Sequence, residues 1–331
     1  MRRLFYNSFL AVFTIIGSVI GAGFITGKEV FEFFASDFSL GGIYLAFLCF
    51  SFMIFYMMSS KGNRVDKSIQ IFVAISNVII AGCMISALNS IYKRLFRLSE
   101  KVEILSIITA ILMFIISYKG IGVVQKLCAI TLPFVVVVII TLCVYKVEDY
   151  TVKISPQSYG GILKPVIYVG FNVVMSAGVI KNSGEKLSPP FKILASVITS
   201  AILCACVFLL SLAVKNEGLV SDMPFISLFY KNKKLLIIID IITLFAIYST
   251  LASAIYTVNN FGGTKIKFSL KILLFLFIIA TSKLSFSSIV EKVYPSLGVL
   301  AYVMVCVSYL LSTPFPKARQ ARTLRLLKDK E

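Results

Sequence analysis

Apolar residues along the chain run in blocks of about 18 to 28 positions, each long enough to cross a hydrocarbon layer ~30 Å thick as a helix. The blocks lie near residues 8–35, 40–60, 68–93, 102–119, 122–146, 159–181, 190–214, 234–260, 268–284 and 288–312. They predict an all-α integral membrane protein of ten transmembrane helices. The shorter alternating segments of a membrane β-barrel are absent. Two blocks are interrupted. The first reads IIGSVIGAGFITGKEVFEFF over residues 15–34, with Gly17, Gly21 and Gly23 followed by Lys28, Glu29 and Glu32; the sixth reads YVGFNVVMSAGVIKNSG over residues 168–184. Arg2 and Arg3 ahead of the first block imitate a signal peptide, but no small-residue cleavage site closes it, so it is read as a retained span.

The interruptions carry the functional expectation. Unwound backbone is tolerated at membrane depth only where it is buried in protein or lines a cavity, because unsatisfied amides in lipid are costly. A break at Gly21 to Gly23 therefore implies something polar in the gap: freed N–H groups suit a carboxylate, and freed carbonyls a cation. Close helix packing through small residues is the competing explanation for the glycines. An odd number of spans in each half makes the halves inverted in the membrane, and glycine-interrupted spans at equivalent places in two halves point to a transporter site. The chain reads as one membrane domain over residues 1–331, with repeat one about 8–146, repeat two about 159–312, and a basic cytoplasmic tail at 313–331. The tail reads as an electrostatic anchor to anionic lipid.

Composition removes other classes. With 58% hydrophobic and 15% charged residues and a mean hydropathy of +0.94, the 331-residue chain cannot be a soluble globule. Its net charge of +18 resides in short loops and the tail, so no basic face for nucleic acid can assemble. With the N-terminus inside, Lys and Arg divide into 19 cytoplasmic and 14 external positions, a weak bias toward cytoplasmic termini in the cell membrane. There is no histidine, which removes imidazole relays and His-ligated metals, and no tryptophan, which leaves Tyr and Phe to form the interfacial belts. All seven cysteines fall within apolar blocks and read as small core residues. No phosphate-binding G-x-x-x-x-G-K-[ST] run and no catalytic constellation occurs, so neither an ATP-driven pump nor an enzyme is expected, and no cofactor.

The run GSVIGAGFITGKEVFEFF resembles the YkvI-type family of bacterial membrane proteins, which is similar to the amino acid, polyamine and organocation superfamily. The resemblance implies the leucine-transporter fold, five plus five inverted helices with broken helices 1 and 6. It also implies a sodium site between the first and eighth spans: the carbonyls of Gly17, Ile20 and Ala246 with the hydroxyls of Ser249 and Thr250. Five hard oxygens suit an alkali cation. Left to themselves, Ser249 and Thr250 would bond carbonyls of their own helix, the common fate of membrane Ser and Thr. The fifth span holds no basic residue in its middle, and Lys126 sits near its cytoplasmic start, which favours sodium over protons.

Substrate contacts are expected at the breaks: Gly21, Ala22 and Gly23 in the first span; Asn172, Ser176, Ala177 and Gly178 in the sixth. Asn77, Cys83 and Ser86 are candidates on the third. Phe171, Val173 and Val174 serve equally well as core. Ionisable side chains inside spans are functional hypotheses by default. Lys28 and Glu29 are expected at an external gate with Glu291 and Lys292 as partners, although Glu32 and Lys292 can equally sit solvated near the headgroups. Asp240 lies nine residues before Ser249, about 13.5 Å along a helix, too far to share a sodium shell. It reads as a proton site, a contact for a substrate ammonium, or a charge reaching the interface. Lys164 is expected to pair with Glu29 or Asp240. The function expected is a sodium-coupled secondary transporter of a small solute, an amino acid or similar zwitterion, by alternating access. The alternatives are a ligand-sensing receptor subunit of germinant-receptor kind on the same fold, a proton-coupled transporter and, last, a passive channel. Partners are the solute and the bilayer; the sequence leaves the oligomeric state open.

Overall fold

The computed structural model describes residues 2–59, 67–96, 102–147, 159–215, 223–260 and 268–312. The C-terminal tail and most of the connector between the halves lie outside the described residues. The helices are α1 (Arg2–Val19), α2 (Ala22–Ile25), α3 (Lys28–Val30), α4 (Leu40–Ser59), α5 (Lys67–Phe96), α6 (Val102–Tyr118), α7 (Ile121–Val147), α8 (Tyr159–Met175), α9 (Ala177–Gly184), α10 (Pro189–Val214), α11 (Pro224–Ser227), α12 (Lys233–Asn260), α13 (Phe268–Thr281), α14 (Phe286–Ser288) and α15 (Tyr294–Ser312). Two π-helical turns complete the list: Phe31–Ala35 extends α3, and Ile289–Val293 joins α14 to α15. Among the described residues there is no strand.

The protein is a multi-pass membrane protein. Six helical segments are long and apolar enough to cross a bilayer alone, and α8 with α9 form one more span bent by 64°. Phe5–Val19, Glu103–Tyr118 and Phe268–Thr281 are shorter apolar helices. The outer faces are apolar: Phe52 and Ile130 are 69% and 77% exposed, as side chains are when lipid rather than protein covers them. Exposed Tyr44, Tyr56, Tyr118 and Tyr145 stand near helix ends, the interfacial role left to tyrosine when tryptophan is missing. The centre is built on α5 and α12. Of the apolar stretch of α5, 72% is buried, against 28% in α4. The cysteines are free thiols, five of them buried.

Both interruptions are present, but they differ from the expectation and from each other. α1 stops at Val19, Ile20 and Gly21 leave the helix, and the chain resumes as the single turn α2. Gly23 therefore lies in helical turn, not in unwound backbone. A second interruption follows at Gly27, whose φ of 81° is a left-handed conformation that glycine adopts without strain. That turn is clamped from outside, since Phe225 at the start of α11 donates its backbone N–H to the Thr26 carbonyl at 2.9 Å. The sixth span breaks at a single residue, with a change of direction of 64°. Ser176 donates to the Asn172 carbonyl at 3.0 Å and Ile180 to the Ser176 carbonyl at 2.9 Å, so the break is confined to Ser176, which leaves helical geometry, and Ala177 and Gly178 form the first turn of α9.

Candidate solute and cation site

The break in α1 is placed by packing. A Cβ on Gly17 would meet Cys128 Sγ of α7 at 2.9 Å, and one on Gly21 would meet Thr250 Oγ1 of α12 at 3.2 Å and Met84 Sδ of α5 at 3.3 Å. Both glycines let the first span lie against its neighbours, so the packing explanation holds for them without displacing the other. At the crossing of α1 and α12, Thr250 Oγ1 lies 3.0 Å from the carbonyl oxygens of both Gly17 and Ile20. One hydroxyl proton serves one acceptor at a time, so these two carbonyls outnumber their donor. Ser249 donates to the Ala246 carbonyl of its own helix at 2.8 Å, the bland alternative for that residue. Of the five residues expected to hold a cation, Gly17, Ile20 and Thr250 thus meet at the crossing, while Ser249 is turned along α12 to Ala246.

Beside this crossing lies a cavity with about 20 Å³ of room for water centres, enough for a water or two. Of the residues expected to touch solute, Gly21, Asn77, Asn172 and Ser176 line it. Asn77 donates to the Met175 carbonyl at 3.0 Å and so ties α5 to the bend of the sixth span. Ala22, Gly23, Ala177 and Gly178 are not among its lining residues. Ser86 points elsewhere: its hydroxyl donates to the Leu284 carbonyl, beyond the end of α13, at 3.2 Å. The sequence reading missed Ser253, Thr257 and Tyr294, which also line the cavity. With Ser249 the first two form a run of hydroxyls at four-residue spacing on α12, and Thr250 stands beside it, a signal legible in ITLFAIYSTLASAIYTV.

The charged residues sort into two groups. Lys28 pairs with Glu291 across to the π-turn before α15, as expected of a gate. Lys292 is exposed. Lys164 pairs with neither Glu29 nor Asp240. Its ammonium bonds Asp37 at 2.8 Å and Ser36 at 3.0 Å, because α8 passes the turn after the first span. Asp240, isolated in the sequence, has a partner in the structure. Its side chain is 2% exposed and is held by the guanidinium of Arg94, whose Nε lies 3.0 and 2.9 Å from the two carboxylate oxygens. Arg94 sits at the end of α5, in a stretch the sequence presents as a basic loop.

Glu29 departs most from expectation. It is 3% exposed and lines the cavity, and the pairing expected with Lys292 is not made. Tyr168 donates its hydroxyl to Oε2 at 3.2 Å, and among the described residues no Lys or Arg forms an ion pair with it. Gly23 makes room for it, since a Cβ at that position would collide with the Glu29 carboxylate.

Over 93% of its length the chain is 20% identical to the uncharacterized membrane protein YkvI of Bacillus subtilis, of which it covers 96%. The resemblance carried by the first span therefore extends along the chain. No family model matches the sequence. Among solved structures, a manganese transporter of Eremococcus coleocola superposes with a TM-score of 0.53 at 13% identity, covering 94% of this chain and 78% of that one. Mhp1, a nucleobase-cation-symport-1 family transporter, gives 0.49 at 12% identity over 90% and 74%. The likeness is one of fold: this chain has the all-helical architecture of membrane transporters.

Proposed function

We propose that the protein is a secondary active transporter of a small solute, an amino acid or similar zwitterion, coupled to sodium and working by alternating access in the cell membrane. In this reading its ten spans form two inverted sets of five, and both termini are cytoplasmic. The observation that carries it is the break at Ile20 and Gly21. It sets two α1 carbonyls against Thr250 and opens directly onto the cavity, which here has room for a water or two and would widen around a solute, so that a cation and a solute would occupy adjoining places. Filling one place can then favour the closed arrangement around the other. The Lys28–Glu291 pair and the α11 clamp on Thr26 supply a closure over the cavity.

The test is the melting temperature of the detergent-purified protein in sodium against potassium chloride at equal ionic strength, because a ligand of the folded state alone raises stability with occupancy. A sodium-specific rise that disappears in Ser249→Ala/Thr250→Ala is expected. Equal melting in the two salts rejects sodium coupling. Solute binding without solute counterflow in proteoliposomes would move the ligand-sensing alternative to the front.

A further inference from the structure

We propose that Glu29 is the counter-charge for an ammonium group on the solute, and that the glycines of GAGFITGKE serve to present its carboxylate to the cavity; this rests on the solute-binding reading above. Glu29 supplies the formal charge in the cavity wall, whose other lining groups are amides, hydroxyls, aromatic rings and apolar side chains. Its neighbour in sequence, Lys28, is turned away and paired with Glu291. The left-handed turn at Gly27 sets Lys28 and Glu29 on a new helical turn, and the missing side chain at Gly23 leaves the space the carboxylate fills. An anion so placed, with a tyrosine hydroxyl as its hydrogen-bond donor, is unfinished until a cation arrives.

The chemistry of the wall selects the kind of cation. Among the described residues no three His, Cys, Asp or Glu side chains come together as a metal site, so a divalent metal would meet one carboxylate and neutral groups. An ammonium needs one carboxylate and scattered oxygen acceptors, and it is also attracted to aromatic faces. Phe171 and Tyr294, whose rings pack 4.3 Å apart between centroids, both line the cavity.

The experiment is a thermal-shift panel on the full chain in detergent and sodium chloride. The probes are methylammonium, ethylammonium, alanine, propionate and manganese chloride at matched ionic strength, on wild type, Glu29→Gln and Gly23→Ala. The amines and alanine are expected to raise the wild-type melting temperature and propionate to leave it unchanged. Both variants should lose the amine response while keeping the sodium response, which reports that each is folded. Gly23→Ala adds a case in which the charge is retained but displaced. Amines without effect on wild type overturn the proposal. So do amines that stabilise Glu29→Gln as well as wild type, propionate acting where amines do not, or a manganese shift that depends on Glu29. A missing sodium response with the amine response intact counts against the coupling reading and leaves this one standing.

Discussion

Two acids buried to a similar extent, Asp240 on α12 and Glu29 after the break in α1, have been given opposite surroundings. Asp240 is gripped by a guanidinium fork from α5, with both carboxylate oxygens bonded. Glu29 has one tyrosine hydroxyl and an open side toward the cavity. A buried charge is tolerated when paired and hydrogen-bonded, and costly when it is not. The fold thus completes one acid internally and leaves the other to be completed from outside, which separates a structural tie from a binding group more sharply than burial or position in the sequence does.

The largest effect that would break this contrast is at the paired acid. Arg94→Ala strands a buried carboxylate and should lower stability by ~3–5 kcal/mol, toward the lower figure because the Arg94 side chain is 23% exposed. Arg94→Met/Asp240→Leu, which removes both charges, should recover most of that loss in the same melting experiment. Thr250→Val removes the donor shared by the Gly17 and Ile20 carbonyls. A loss of about 1–3 kcal/mol is expected, together with the sodium-specific rise in melting temperature. Glu29→Gln keeps the shape and a polar group for Tyr168, so without solute its melting should stay within ~1 kcal/mol of wild type. A cost as large as that of Arg94→Ala would erase the contrast, because Glu29 would then be part of the scaffold. The smallest effects belong to the outer pairs. Lys164→Ala, whose partner Asp37 is about as exposed as Lys164 itself, should change stability by ~0–1 kcal/mol. Lys28→Ala removes a side chain only 7% exposed from a half-exposed partner, so it should cost more than Lys164→Ala and also change the rates of solute entry or exit.

Helices were legible in the sequence to within a few residues: the expected block at 190–214 is α10 at Pro189–Val214, and that at 40–60 is α4 at Leu40–Ser59. The first break was legible too, since three glycines in an apolar run had to mean close approach or unwound backbone. What each glycine does was not. Gly17 and Gly21 meet α7, α12 and α5, while Gly23 meets Glu29 in its own span. Asp240 could be seen as anomalous, but its partner lies 146 positions earlier in a stretch that reads as loop. Ser86 and Asn77 share one helix with similar polarity, and only the packing of α5 turns one toward Leu284 and the other toward the cavity.

By itself, then, the sequence determined that the chain is a helical membrane protein, roughly where its helices lie and where its first span is interrupted. Those are local consequences of what a bilayer tolerates: apolar side chains outside, backbone hydrogen bonds kept within each helix, and glycine where the ladder fails. The tertiary structure alone decided which acid received a cation, that the break in the sixth span is confined to Ser176, and that Glu29 faces the cavity. These depend on side chains more than a hundred residues apart meeting across helices, a matter of angle and packing that no single segment encodes.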